Sequence, residues 1–280
     1  MANFMEMLKQ HWQARRFLCV GLDTDYEKLP PVAKSNSVTQ AIFDYNQAII
    51  EATASYVCAF KPNIAFYEGY GVAGLEALSK TNEYLRHNYP EIPIILDAKR
   101  ADIGNTNSGY VKEAFQVLGA HAITVHPYLG QEALQPFLDC QDFGVIVLCH
   151  TSNPGAGEFQ ELKVNGEALY QIVARKVSSE WNQHGNCCLV VGATYPEQLL
   201  EVRRVAPTLP LLIPGIGAQG GDLEATVRNG LTASGDGIII NASRSILYAS
   251  NGADFQAAAA AEAAHLDQAI REIVAEVVEG

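Results

Sequence analysis

Positive charge is scarce in this chain. Of its 280 residues 19 are Lys or Arg against 31 Asp or Glu, a net charge of −12. Sequence-independent nucleic-acid binding needs a basic face, and this balance argues against it. An anionic ligand would have to be met locally, by backbone N–H groups and one or two cationic side chains. Long apolar runs are also missing. None reaches the length of a membrane span, and Met1–Gln13 mixes Glu6, Lys9 and His11 with its apolar residues, unlike the apolar core of a signal peptide. The six cysteines form no C-x-x-C pair. Cys19, Cys58, Cys149, Cys187 and Cys188 sit in apolar runs and, with Cys140, read as thiols in a reducing compartment rather than disulfides or zinc ligands. A cytoplasmic protein is expected. No linker or shift of composition divides the chain, so residues 1–280 are expected to form one domain.

What is present is a repeating alternation. Short apolar segments read as strands: Phe17–Leu22, Tyr56–Phe60, Ile92–Asp97, His121–Pro127, Gly144–His150, Cys187–Gly192, Leu211–Pro214 and Gly237–Ile240. Between them lie helical segments: Val38–Ala54, with Ile42, Tyr45, Ile49 and Ile50 on one face, then Gly69–His87, Ser108–Leu118, Gln131–Cys140, Gly166–Asn182, Pro196–Ala206 and Leu223–Asn229. Met1–Arg16 predicts a leading helix and alanine-rich Phe255–Val278 a closing one. Strands that are apolar on both faces belong in a parallel sheet covered by helices. About eight such units in a chain of this length predict an α/β protein, a (β/α)8 TIM barrel. An open doubly wound sheet would place a Gly-rich turn after its first strand. That position reads Asp23-Thr24-Asp25, without a glycine cluster.

The densest chemistry follows the third strand, in Asp97-Ala98-Lys99-Arg100-Ala101-Asp102. Strand alternation puts Asp97 and Lys99 on one side, about 6–7 Å apart, with Leu96 and Ala98 on the other. D-x-K alone is equally the pattern of a surface salt bridge. An acid–base–acid group at the C-terminal end of a buried strand is where barrels keep their chemistry. The other strand ends supply Asp23, Lys61, His126, His150 with Ser152, the loop Gly215–Asp222 and Arg244. That loop, with Gly217, Gly220 and Gly221, the N-terminus of the helix after it and Arg244 read together as a phosphate site. His126 and His150 lack an H-x-H or H-E-x-x-H setting and read as structural. Ser152 lacks a G-x-S-x-G elbow and reads as a ligand-binding hydroxyl. Phe66, Tyr67 and Tyr70 read as packing.

These residues carry a resemblance. Asp97-Ala98-Lys99-Arg100-Ala101-Asp102-Ile103-Gly104-Asn105-Thr106 resembles the D-x-K-x-x-D-I-x-x-T signature of the orotidine 5′-phosphate decarboxylase family. Phe60–Asn63 with Ala65–Glu68, Thr151–Gly155, Pro214–Gly221 and Ser243–Ser245 are similar to the same family, most to its longer bacterial branch. Matches run in order from Gly21 to Arg244; Ala101 departs from the glycine expected there. The resemblance implies a homodimer that converts orotidine 5′-monophosphate to UMP with neither metal nor organic cofactor. It implies a charged tetrad of Lys61, Asp97, Lys99 and Asp102, with Asp102 and Thr106 completing the partner's site. It gives Asp23 and Thr106 to the ribose, Ser152 to the pyrimidine, and Gln219 and Arg244 to the phosphate. On the residues alone two other classes stay open. One is a metal-dependent barrel enzyme acting on a sugar phosphate, for which Glu68 is the one obvious extra acid. The other is a nucleotide-binding barrel without catalysis, against which so many clustered charges argue.

Overall fold

The computed structural model describes residues 3–217 and 220–279. Eight parallel strands form one sheet: β1 (Leu18–Gly21), β2 (Val57–Lys61), β3 (Ile95–Arg100), β4 (Ala122–Val125), β5 (Gly144–His150), β6 (Cys187–Val191), β7 (Leu211–Pro214) and β8 (Ile238–Ala242). Neighbours run β2-β1-β8-β7-β6-β5-β4-β3. The two ends of that order meet, because Phe60 bridges Ile94 and Asn63 bridges Asp97 in parallel, and the ring closes into a barrel. Every residue of β1, β2, β4 and β6 is buried, as strands packed on both faces require. Each fully buried Val, Leu or Ile contributes about 1.5–3 kcal/mol.

One mouth of the barrel is stoppered. The helix Phe4–Gln13 starts at Asn3, whose side chain accepts from the N–H groups of Met5 and Glu6. It buries Phe4, Leu8 and Trp12, and Trp12 Nε1 donates to the Ile238 carbonyl at the start of β8 at 2.9 Å. Phe4 lies so close to the start of β5 that a side chain at Gly144 would strike its ring. The N-terminal ends of the strands are therefore filled, leaving the C-terminal mouth for a site. The closing helix Phe255–Glu279 packs against the helices Val38–Thr53 and Leu223–Gly230, with Phe255 stacked on Tyr45. The expected packing residue Tyr67 is fully buried, and Phe66 and Tyr70 lie partly buried against the core. All six cysteines are free, and all but half-buried Cys140 are buried.

Three elements differ from the sequence reading. The helix expected over Gly166–Asn182 is preceded by a hairpin, Lys163–Val164 with Glu167–Ala168. Asn165 and Gly166 turn it, both with left-handed φ (54° and 87°), the backbone that an Asn-Gly pair favours in tight hairpins. Helix follows only from Leu169 to Lys176, ending in a wider turn, Val177–Trp181. The helix after β3 starts at Gly104 rather than Ser108, so Thr106 lies in its first turns and not in a loop. Strand β3 itself runs to Arg100, three residues beyond the expected end.

Candidate active site

The C-terminal mouth opens into a cavity of about 530 Å³, the size of small-molecule sites. Asp23, Lys61, Asp97, Lys99, Ser152 and Arg244, all predicted from sequence, line it together. Their charges alternate along a chain of contacts. Lys61 Nζ lies 3.9 Å from Asp23 Oδ1 and 3.0 Å from Asp97 Oδ2, and Lys99 Nζ lies 2.6 Å from Asp97 Oδ1. Lys61 comes from the last position of β2 and its side chain is 4% exposed, whereas that of Lys99 is 48% exposed, at the mouth. Burial pulls Lys61 toward its neutral form, but Asp97 and Asp23 outweigh it and hold the ammonium above the usual lysine range. Burial likewise opposes the Asp97 charge, and Lys61 and Lys99 outweigh it, keeping the carboxyl well below the usual carboxylate range.

Lys99 does not reach Asp97 by simple alternation. Leu96 pairs with Ile123 and Arg100 with Val125, so three residues of β3 face the single Thr124 of β4. The chain bulges there, and Lys99 takes a left-handed φ of 47°. Ala101, the departure from the family pattern, is not among the left-handed non-glycine residues (Arg15, Lys99 and Asn165), so alanine fits that position without this strain.

Ser152 follows β5 on a loop strapped to the end of β6. Thr194 Oγ1 donates to the Ser152 carbonyl at 3.1 Å and Tyr195 Oη to that of Asn153 at 3.2 Å. Gly192 is required here, since a Cβ would lie 2.6 Å from the Ser152 backbone. His150 anchors the same loop. It is fully buried, its Nε2 lies 3.1 Å from Glu161 Oε1, and burial lowers its pKa against the pull of that carboxylate. The structural reading of His150 fits this geometry; His126 is half-buried beside the chain that leaves β4. Among the described residues no group of three or more His, Cys, Asp or Glu is placed to share a metal ion.

The anion end differs from expectation. Gly215, Ile216, Ser243 and Arg244 line the cavity, whereas Gly217, Gly220 and Gly221 do not. The Gly220 and Gly221 N–H groups are spent inside the loop, on the carbonyls of Gly217 and Gly215. The helix Leu223–Gly230 does not offer an open positive end either, because Asp222 caps it by accepting from Ala225 N at 3.0 Å. Arg244 is thus the cation at this end of the cavity, and Gln219 lies outside the described residues.

Two predicted residues stand apart from the cavity. Asp102 accepts from Ile103 N, and its own N–H is held by buried Asn107 at 2.8 Å. Thr106 is exposed on the helix that follows. Neither touches the Asp97–Lys99 pair of its own chain. Sequence reading places Asn63 and Asn241 at strand ends without a role and passes over Thr124 and Gln160; all four also line the cavity. Thr124 and Asn241 had a signal: each is a polar residue inside an otherwise apolar strand, and buried polar groups need partners. Asn241 is 6% exposed, and among the described residues its Oδ1 has no hydrogen-bond partner, as is true of Asp23 Oδ1.

A closed parallel barrel with paired acids and bases at its strand ends, and an arginine across the same cavity, defines the class: a (β/α)8 enzyme acting on a small anionic substrate. Within that class the chain belongs to the orotidine 5′-phosphate decarboxylase / HUMPS family, whose model matches residues 16–261. It is 49% identical to the orotidine 5′-phosphate decarboxylase of Cellvibrio japonicus over 96% of this chain and 98% of that one. Among solved structures it superposes on Leishmania donovani OMP decarboxylase with a TM-score of 0.82 and 41% identity, covering 96% of this chain and 99% of that one. It superposes on Leishmania donovani UMP synthase with a TM-score of 0.85 and 42% identity, covering 97% of this chain but 57% of the synthase.

Proposed function

We propose that residues 1–280 act as one barrel domain that decarboxylates orotidine 5′-monophosphate to UMP in de novo pyrimidine biosynthesis, without metal or organic cofactor. The observation that carries this reading is the alternating chain Asp23–Lys61–Asp97–Lys99 in one cavity. Loss of CO2 from C6 leaves an electron pair with no adjacent sink. An ammonium is a compact charge and a proton donor, so Lys99 both stabilises that pair and protonates it. The C6–carboxylate bond breaks, CO2 departs, and a proton from Lys99 Nζ forms the new C6–H bond. Asp97 would lie beside the departing carboxylate. Two like charges at about 4 Å repel by roughly 4 kcal/mol at an effective dielectric near 20, and this accelerates the step only as far as the transition state relieves it. Asp97 also fixes Lys99 by direct contact.

The remaining roles follow the open bonding capacity. Among the described residues Asp23 Oδ1 has no hydrogen-bond partner, and it suits a ribose hydroxyl. Ser152 suits the pyrimidine. Arg244 suits the phosphate, and the family resemblance adds Gln219 to it. We assign Asp102 and Thr106 to the neighbouring site of a homodimer, the role the family resemblance implies for them. The cytoplasm is the compartment we expect. The test is to mix purified protein with orotidine 5′-monophosphate in EDTA, following absorbance and released CO2. Turnover to UMP that survives exhaustive chelation is expected. No turnover until Mg2+ or Zn2+ is restored would move the protein to the metal-dependent class.

A further inference from the structure

We propose that Thr124 is the positioning residue of the Asp97–Lys99 pair, one hydroxyl on β4 locking the backbone of Lys99 and the side chain of Asp97 together. The proposal rests on the decarboxylase reading of the site and adds to it a residue outside the charged set. The bulge of β3 leaves the Ala98 and Lys99 N–H groups without the carbonyl partners that a regular ladder would supply. Thr124 Oγ1 accepts from both, at 3.0 Å and 2.9 Å. A hydroxyl has two acceptor sites and one donor. With both acceptor sites filled, its hydrogen has one direction left, toward Asp97 Oδ1 at 2.9 Å. That carboxylate oxygen is the one that also receives Lys99 Nζ. Thr124 is 1% exposed, so water does not replace it in these bonds.

The consequence for the reaction is geometric. Lys99 holds a left-handed backbone that ordinary residues avoid, and such a conformation persists only when its surroundings over-determine it. Thr124 does so through the amide of Lys99 itself. It also orients the carboxylate against which the ammonium rests. Position 124 is part of the cavity wall but far from Arg244 in role, so a change there should act on the chemical step more than on the grip of the phosphate.

The test compares Thr124→Ser, which keeps the hydroxyl, with Thr124→Val and Thr124→Ala, which remove it. Hydrogen bonds to charged groups are strong enough that losing this set should lower kcat by about 10–100-fold. Affinity for UMP should stay within about threefold, and Thr124→Ser should keep kcat within about threefold of the parent. If Thr124→Val does not fold, the Ser and Ala pair decides by the same readouts. Equal loss in Ser and Ala, unchanged kcat in Ala, or a loss of UMP affinity as large as the loss of kcat would overturn the proposal. Absence of turnover in the parent protein would instead overturn the decarboxylase reading.

Discussion

Lowering the pH from 7 to 5 should reduce the folding stability of this barrel through His121, at its closing seam. This residue precedes β4 and is 9% exposed. Its Nδ1 accepts from Ile94 N at 3.0 Å, and Ile94 also forms the bridge to Phe60 that joins β3 to β2. Only a neutral imidazole can accept that bond. Burial first, and the Arg86 charge second, depress its pKa from 6.5 to about 4. The unfolded chain therefore binds more protons than the folded one across that window. The contribution is present in full above 6.5, is lost as the pH falls toward 4, and levels off below. At about 1.4 kcal/mol per tenfold, the whole effect is roughly 3 kcal/mol. By pH 5, where the unfolded imidazole is mostly charged and the folded one mostly neutral, about 2 kcal/mol of it is gone. The perturbation is His121→Asn, whose amide oxygen can accept the same bond without titrating. The assay is the urea midpoint at pH 7, 6 and 5. The parent should lose about 2 kcal/mol more than the variant between pH 7 and 5. Equal pH dependence in the two proteins would refute the assignment.

Two further outcomes concern the site. Arg244→Ala should weaken orotidine 5′-monophosphate far more than the unphosphorylated nucleoside, measured by inhibition or KM; equal losses would make Arg244 structural. Lys99→Ala and Asp102→Ala, each inactive alone, should recover activity when unfolded and refolded together, because random pairing makes about half the dimers mixed and roughly a quarter of all sites intact. No recovery despite mixed dimers proven by a tag would mean that Asp102 does not serve the partner.

The barrel was legible because buried parallel strands leave continuous apolar runs, and eight of these alternate with helical periods. The strand-end chemistry was legible for the same reason: a charge that terminates an apolar strand is conspicuous. What hid was non-local or depended on one backbone angle. The bulge of β3 is held by Thr124, which lies 25 residues from Lys99, so alternation alone gave the right pair by the wrong route. Asp222 looked like part of an anion loop, yet its carboxylate satisfies the helix end that an anion would have used. The Asn165-Gly166 hairpin carried a local signal that the longer helical pattern after it masked. Asp102 and Thr106 have no partner in the cavity of their own chain, so only the family resemblance gives them a role.

In the proposed reaction Lys99 stabilises and protonates the carbon left by CO2. The most direct measurement is the turnover of orotidine 5′-monophosphate by Lys99→Ala, with UMP affinity measured on the same preparation. The expected kcat is lower by about a hundredfold or more, the size of a lost acid and electrostatic partner, in a folded protein that still binds UMP. A variant that keeps more than about a tenth of the parent rate would contradict it.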